Sequence, residues 1–126
     1  VEVSRAMPED TDRDREERLS MEILVDCYDE IEQAMGWYDY LQNRVTFPFK
    51  AHWSTGSSTR AVDVLRLAHE DDCTKTMMVV EIRYWDDQVS DEIMVPLAEL
   101  HPINPDPDTA EAIADWHYWI KIGYKL

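Results

Sequence analysis

The stretch VDCYDEIEQAMGWYDYL, residues 25–41, constrains this chain more than any other, because it crowds carboxylates and large apolar side chains together with no proline to interrupt them. At about 100° per residue, Leu24, Cys27, Tyr28, Ile31, Ala34, Met35 and Tyr38 fall on one side, and Glu22, Asp26, Asp29, Glu30 and Gln33 on the other. The pattern predicts one amphipathic helix from Leu19 to about Asn43, with Gly36 its weak point. Leu24, Tyr28, Ile31 and Met35 are expected to pack on the rest of the fold, and Asp26, Asp29 and Glu30 to face solvent or a cation. Asp39 falls near the angle of Tyr28 and Met35, where an acid would need a partner if buried. Carboxylates at i, i+3 and i+4 with no Lys or Arg between them repel, each like pair costing a few tenths of a kcal/mol on an isolated helix. The outer face therefore calls for neutralisation.

Beyond the helix the pattern changes. Phe47-Pro48-Phe49 ends any helix and leads into a strand reaching Trp53. Ser54 to Thr59 reads as a turn, Ala61 to Ala68 as a second strand, and Glu70-Asp71-Asp72 as an acidic loop. Met77 to Tyr84 alternates cleanly, and Ser90 to Val95 returns from a tight Trp85–Gln88 connection. A 3₁₀ turn is expected over Pro96–Leu100. Asp108 is expected to cap a last helix, with Glu111 completing a capping box and Gly123 ending it; its apolar side is Ala112, Ile113, Trp116, Trp119 and Ile120. The fold class expected is α+β: a small antiparallel SH3-like β-barrel flanked by a long N-terminal helix and a C-terminal helix. Residues 1–18 read as a charged tail or helical lead-in, and residues 19–126 as a single domain.

Charge decides which partners to consider. The chain carries 27 acids against 12 bases, a formal net charge of −15. Residues 1–18 hold seven acids and four bases, so −12 belongs to the folded part. Such a field repels phosphate backbones and anionic membranes, and it attracts metal cations or a basic protein surface. The two cysteines, Cys27 and Cys73, form no CxxC pair and read as reduced core thiols. With no bilayer-spanning apolar run and no signal-peptide pattern, a cytoplasmic location is expected.

The carboxylates cluster at Glu22–Glu32, Glu70–Asp72, Asp86–Glu92 and Asp106–Asp115. Hard oxygen donors in quantity suit Ca²⁺, which takes roughly six to eight oxygens in flexible geometry, better than Zn²⁺ or Cu²⁺. Asn104, Asp106, Asp108 and Asp115 mimic the spacing of an EF-hand loop, but Thr109 replaces the essential glycine and two prolines stiffen the segment. His69 and Cys73 fall short of the four N or S ligands of structural zinc. Nothing assembles a nucleophile, a base and an oxyanion donor, so no enzyme is expected.

Five pieces carry a resemblance: VDCYDEIEQAMGWYDYL, FPFKA, EDDC before a strand with RYW, VPLAEL, and AIADWHYWIKIGY. In that order the chain resembles the small acidic calcium-binding proteins first described from heterocyst-forming cyanobacteria. The resemblance covers Leu19 to Leu126. It implies a helix-flanked small barrel that binds Ca²⁺ through surface carboxylates without an EF-hand and becomes more compact when loaded. It puts Asp26, Asp29 and Glu30 at the acidic positions of the first motif, Asp39 at a later one, and Glu70, Asp71 and Asp72 in the acidic loop. Cys27 departs from the small residue expected there. The leading expectation is a non-catalytic calcium buffer or sensor using these seven residues, with affinity of about 10⁻⁶ to 10⁻⁴ M. The alternative is an SH3-like interaction module whose acidic surface docks a basic partner protein.

Overall fold

The computed structural model describes residues 12–124. The long first helix foreseen from periodicity is in fact two. Helix α1 runs over residues 12–18 and widens into an i→i+5 turn at Leu19–Ile23, closed by Leu24 N donating to the Leu19 carbonyl at 2.8 Å. Leu19 and Ile23 are buried there. The chain then turns through Asp26, whose φ of 60° lies in the left-handed region that Asp tolerates better than most residues. Asp29 restarts the helix. Its carboxylate accepts from Glu32 N at 2.7 Å, and the Glu32 carboxylate accepts from Asp29 N at 3.2 Å. This reciprocal cap satisfies otherwise orphaned N–H groups and is worth about 1 kcal/mol.

Helix α2, Glu30–Arg44, turns a different face inward from the one expected. Trp37, Tyr40 and Leu41 are buried, whereas Tyr28, Ile31 and Met35 are 84%, 74% and 50% exposed and Leu24 is half-buried. The inward stripe is Ala34, Trp37, Tyr38, Leu41 and, just past the helix, Val45, a regular i, i+3, i+4, i+7 series. Asp39 lies off that stripe and is exposed, correcting the expectation that it leans toward apolar neighbours.

Strands β1 (Phe49–Thr55), β2 (Ser58–Leu67), β3 (Val79–Asp86), β4 (Val89–Pro96) and β5 (Leu100–Pro102) form one antiparallel sheet in the order β4-β3-β2-β1-β5. Two-residue turns set the registers: Thr55 faces Ser58 across Gly56-Ser57, with φ of 54° at Gly56, and Asp86 faces Val89 across Asp87-Gln88, with φ of 58° at Asp87. A bulge between Val64 and Arg66 bends β2. The 3₁₀ turn before β5 sits at Leu97–Glu99. The sheet stays open: among the described residues no ladder joins β4 to β5, so the closed SH3-like barrel is replaced by an open five-stranded sheet in an α+β fold.

Helix α3, Pro107–Lys121, is capped by Asp106 rather than by Asp108. Asp106 accepts from Thr109 N at 2.8 Å and from Thr109 Oγ1 at 3.0 Å, and Pro107 fills the first helical position, where its missing N–H costs nothing. Trp37 of α2 meets Trp116 edge-on at 5.0 Å between ring centroids, with Trp119 beside them at 5.8 Å. All three are essentially inaccessible. Losing one such buried ring costs about 3 to 5 kcal/mol.

One buried ion cluster ties the helices together. Asp115 of α3 is wholly buried and accepts from Arg15 Nε at 2.9 Å, Arg18 Nη2 at 2.7 Å and the Tyr40 hydroxyl at 2.7 Å. The charged lead-in is thus docked through Arg15 and Arg18, and residues 1–11 lie outside the described residues. Position 115 is therefore occupied by a structural acid, which disposes of the EF-hand spacing independently of Thr109.

Candidate metal centre

The close approach of α1 to α2 builds one cleft. A Cβ placed on Gly36 would sit 2.4 Å from the Ile23 carbonyl oxygen, so only glycine lets the end of α1 rest against α2 at this height. Around that contact opens a cleft of about 470 Å³. Glu22 and Asp26 line it from α1 and the turn, Glu32 and Asp39 from α2, and Asn43 lies further along. On α2, Glu32, Gly36, Asp39 and Asn43 recur at i, i+4, i+7 and i+11, which puts them on one face.

The electrostatics favour hard-cation chemistry. Burial pushes the Cys27 thiol up, and the carboxylates of Glu32, Asp26 and Asp29 push it further. Cys27 is thereby held as a neutral thiol, a poor metal ligand, and the donors left are oxygens. Arg44 also borders the cleft, but its Nη2 donates to Glu111 at 2.8 Å and its guanidinium lies over the Tyr40 ring at 5.4 Å. Glu32 is partly committed too, since its Oε1 accepts from Tyr28 N at 2.9 Å.

A second groove, of about 520 Å³, lies on the other side of the Met35 ridge. Glu30, Glu70 and Asp71 border it together with Ile31, Tyr38 and Lys75. Lys75 Nζ stands 3.5 Å from Glu30 Oε1, and the Lys75 carbonyl accepts from Trp119 Nε1 at 2.8 Å, which pins this loop to the core. Cys73 sits buried at its base, its thiol pushed up chiefly by burial.

The acids singled out in the sequence are thus divided by α2. Asp26 and Asp39 share the first cleft, and Glu30, Glu70 and Asp71 share the second groove. Asp29 caps α2, while Asp72 is exposed on the 3₁₀ turn Glu70–Asp72 and borders neither. The sequence reading left Glu22, Glu32 and Asn43 off the donor set, although the Glu32-Gly36-Asp39-Asn43 spacing was there to be read. The donor chemistry fits a hard divalent cation. Among the described residues, however, no three His, Cys, Asp or Glu side chains are already gathered closely enough to hold one. Closure of the cleft would have to bring them together.

Comparisons with known proteins bear on which cation this is. The CcbP family model, described as calcium binding, matches residues 17–120. A crystal structure of CcbP from Anabaena is similar at a TM-score of 0.79 and 40% identity, covering 90% of this chain and 94% of that one. A calcium-binding protein in its calcium-binding form is similar at a TM-score of 0.81 and 40% identity, covering 89% of this chain and 93% of the other. Comparison with curated proteins gives no match.

Proposed function

Because this chain belongs to the CcbP family of calcium-binding proteins, we propose that Ca²⁺ is held in the cleft between α1 and α2 by Glu22, Asp26, Glu32 and Asp39. The observation that carries the assignment is that these four acids, from two chain segments, line one cleft beside Gly36. Ca²⁺ supplies charge neutralisation and takes roughly six to eight oxygens, a number that four carboxylates, Asn43 and water can meet. Asp26 and Glu22 come from the turn side and Asp39 from the helix side, so inward rotation of their side chains draws α1 and α2 together. That movement agrees with the compaction that the sequence resemblance implies. On this reading the protein is a non-catalytic buffer or sensor.

The groove holding Glu30, Glu70 and Asp71 is the weaker candidate. Lys75 already places a positive charge 3.5 Å from Glu30, and a second cation beside it would be repelled. Calorimetric calcium titration separates the two. Asp26→Asn with Asp39→Asn should weaken the isotherm tenfold or more, while Glu70→Gln with Asp71→Asn should leave it within about twofold. The opposite pattern would move the ion to the second groove.

A further inference from the structure

The second groove has a character that calcium binding does not explain. Its walls are Ile31, Ala34 and Met35 from α2 and the Cys73–Thr76 loop opposite, with Tyr38 fixed at the end by its hydroxyl donating to the Ala68 carbonyl at 2.7 Å. Ile31 and Met35 remain 74% and 50% exposed on a helix whose other apolar face is fully packed, and Met77, next to the loop, is 48% exposed. A volume of about 520 Å³ accommodates a few large apolar side chains. Isolated exposed apolar residues mean little, but a contiguous apolar groove with a charged rim marks an interaction surface.

The rim identifies the partner. Glu30, Glu70 and Asp71 border the groove, Asp72 follows on the same turn, and among the described residues the one bordering cation, Lys75, is already beside Glu30 and only 19% exposed. We propose that this groove docks a basic amphipathic helical segment of another protein. Its apolar side chains at i and i+4 would lie between Ile31 and the Thr74–Thr76 loop, and its Lys or Arg residues would reach Glu70 and Asp71. The mode is a helix laid in a groove, with apolar anchors giving affinity and the acidic rim giving orientation and rate. A second copy of this chain fits badly, because each copy brings a formal charge of −15 to the contact. An anionic membrane is repelled for the same reason. The inference does not depend on the calcium assignment, since Ile31, Glu70 and Asp71 border this groove and not the Asp26–Asp39 cleft, which shares only Met35 with it.

The test uses the full chain and a fluorescently labelled amphipathic Leu/Lys peptide, followed by anisotropy in EDTA at physiological salt. Three comparisons accompany it: a scrambled peptide of identical composition, Ile31→Ser, and Glu70→Gln with Asp71→Asn. Ile31, Glu70 and Asp71 are exposed, so these variants should melt with the parent. Saturable binding is expected, weakened tenfold or more by scrambling, by Ile31→Ser and by the double amide variant. Absence of binding, equal binding of the scrambled peptide, or indifference to Ile31→Ser would overturn the proposal. So would sedimentation showing a dimer that Ile31→Ser dissolves, which would give the groove to a second copy.

Discussion

Replacing Gly36 by Ala pits two opposing effects against each other, and their magnitudes decide the sign. Alanine is the better helix former by about 1 kcal/mol, and Gly36 lies in the middle of α2, so propensity alone favours the variant. The new methyl would stand 2.4 Å from the Ile23 carbonyl oxygen and 3.2 Å from Cys27 Sγ. Carbon–oxygen contacts settle near 3.3 Å, so the Ile23 carbonyl must retreat by roughly 1 Å. That oxygen is backbone, at the end of a turn whose Leu19 and Ile23 side chains are buried, and it cannot swing aside like the tip of a long side chain. Overpacking of this kind costs about 1 to 3 kcal/mol. The net expectation is a loss of about 1 kcal/mol, or roughly 4 °C in the melting temperature of a chain this size. Glu22 adjoins Ile23 and Asp26 lies three residues on, so the retreat of Ile23 also widens the cleft, and on the proposed assignment calcium affinity should fall several-fold. Circular-dichroism melts in EDTA and calorimetric titration with calcium read the two effects separately. A variant that melts at or above the parent and binds calcium equally well would show that α1 does not rest on Gly36, and the cleft as described would be wrong.

The buried cluster gives a larger effect. Asp115→Ala strands the Tyr40 hydroxyl and two arginines that are 22% and 17% exposed, so a loss of about 3 kcal/mol is expected by urea denaturation, at the low end for a broken buried pair because the arginines keep some solvent; a change below about 1 kcal/mol would show that α1 is not anchored there. Burial first, and then the hydrogen bond to Asp115, push the Tyr40 phenol up to about 12 from an ordinary value near 10. The fold thus favours the neutral phenol: this contribution is complete below pH 10 and is lost as pH rises toward 12. Tyr118, which donates to Glu16, is also pushed up to about 12, so Tyr40→Phe should reduce the alkaline slope of stability without abolishing it. An unchanged slope in urea melts between pH 9 and 12 would count against the burial of the Tyr40 hydroxyl.

Much of the fold was legible because local signals agreed with one another. Strand β3 alternates and is a strand; the Gly56 and Asp87 turns fall between two apolar runs; α3 shows its stripe of Ala112, Ile113, Trp116 and Trp119. The failures have local causes as well. The apolar period runs unbroken from Leu24 through Tyr28 and Ile31 to Met35, so the break before α2 was masked even though Asp29-x-x-Glu32 spells a capping box. Placing the core on Tyr28, Ile31 and Met35 then turned the helix to the wrong face and carried Asp39 inward with it. The correct stripe, Trp37 with Leu41, holds the largest ring and only gained priority once Trp116 was seen against it. Asp115 offered no local warning, because the arginines that satisfy it lie about a hundred positions away in a segment with little to bury.

The same distribution of partners explains how a chain of formal charge −15 keeps a folded core. Its cations are concentrated where they hold structure: Arg15 and Arg18 on Asp115, Arg44 on Glu111, Lys50 on Asp63, Arg66 on Glu81 and Arg83 on Glu92. These pairs neutralise α3 and the exposed face of the sheet, where repulsion would otherwise oppose packing. Around the α1–α2 turn, Glu22, Asp26 and Asp39 are instead exposed, next to the wide turn at Leu19–Ile23 and the left-handed Asp26. Like-charge repulsion among these exposed carboxylates acts at the surface, where solvent screens it. On the proposed assignment a divalent cation in that cleft would offset this repulsion, and the carboxylates would be gathered by the ion rather than by a preformed binding loop.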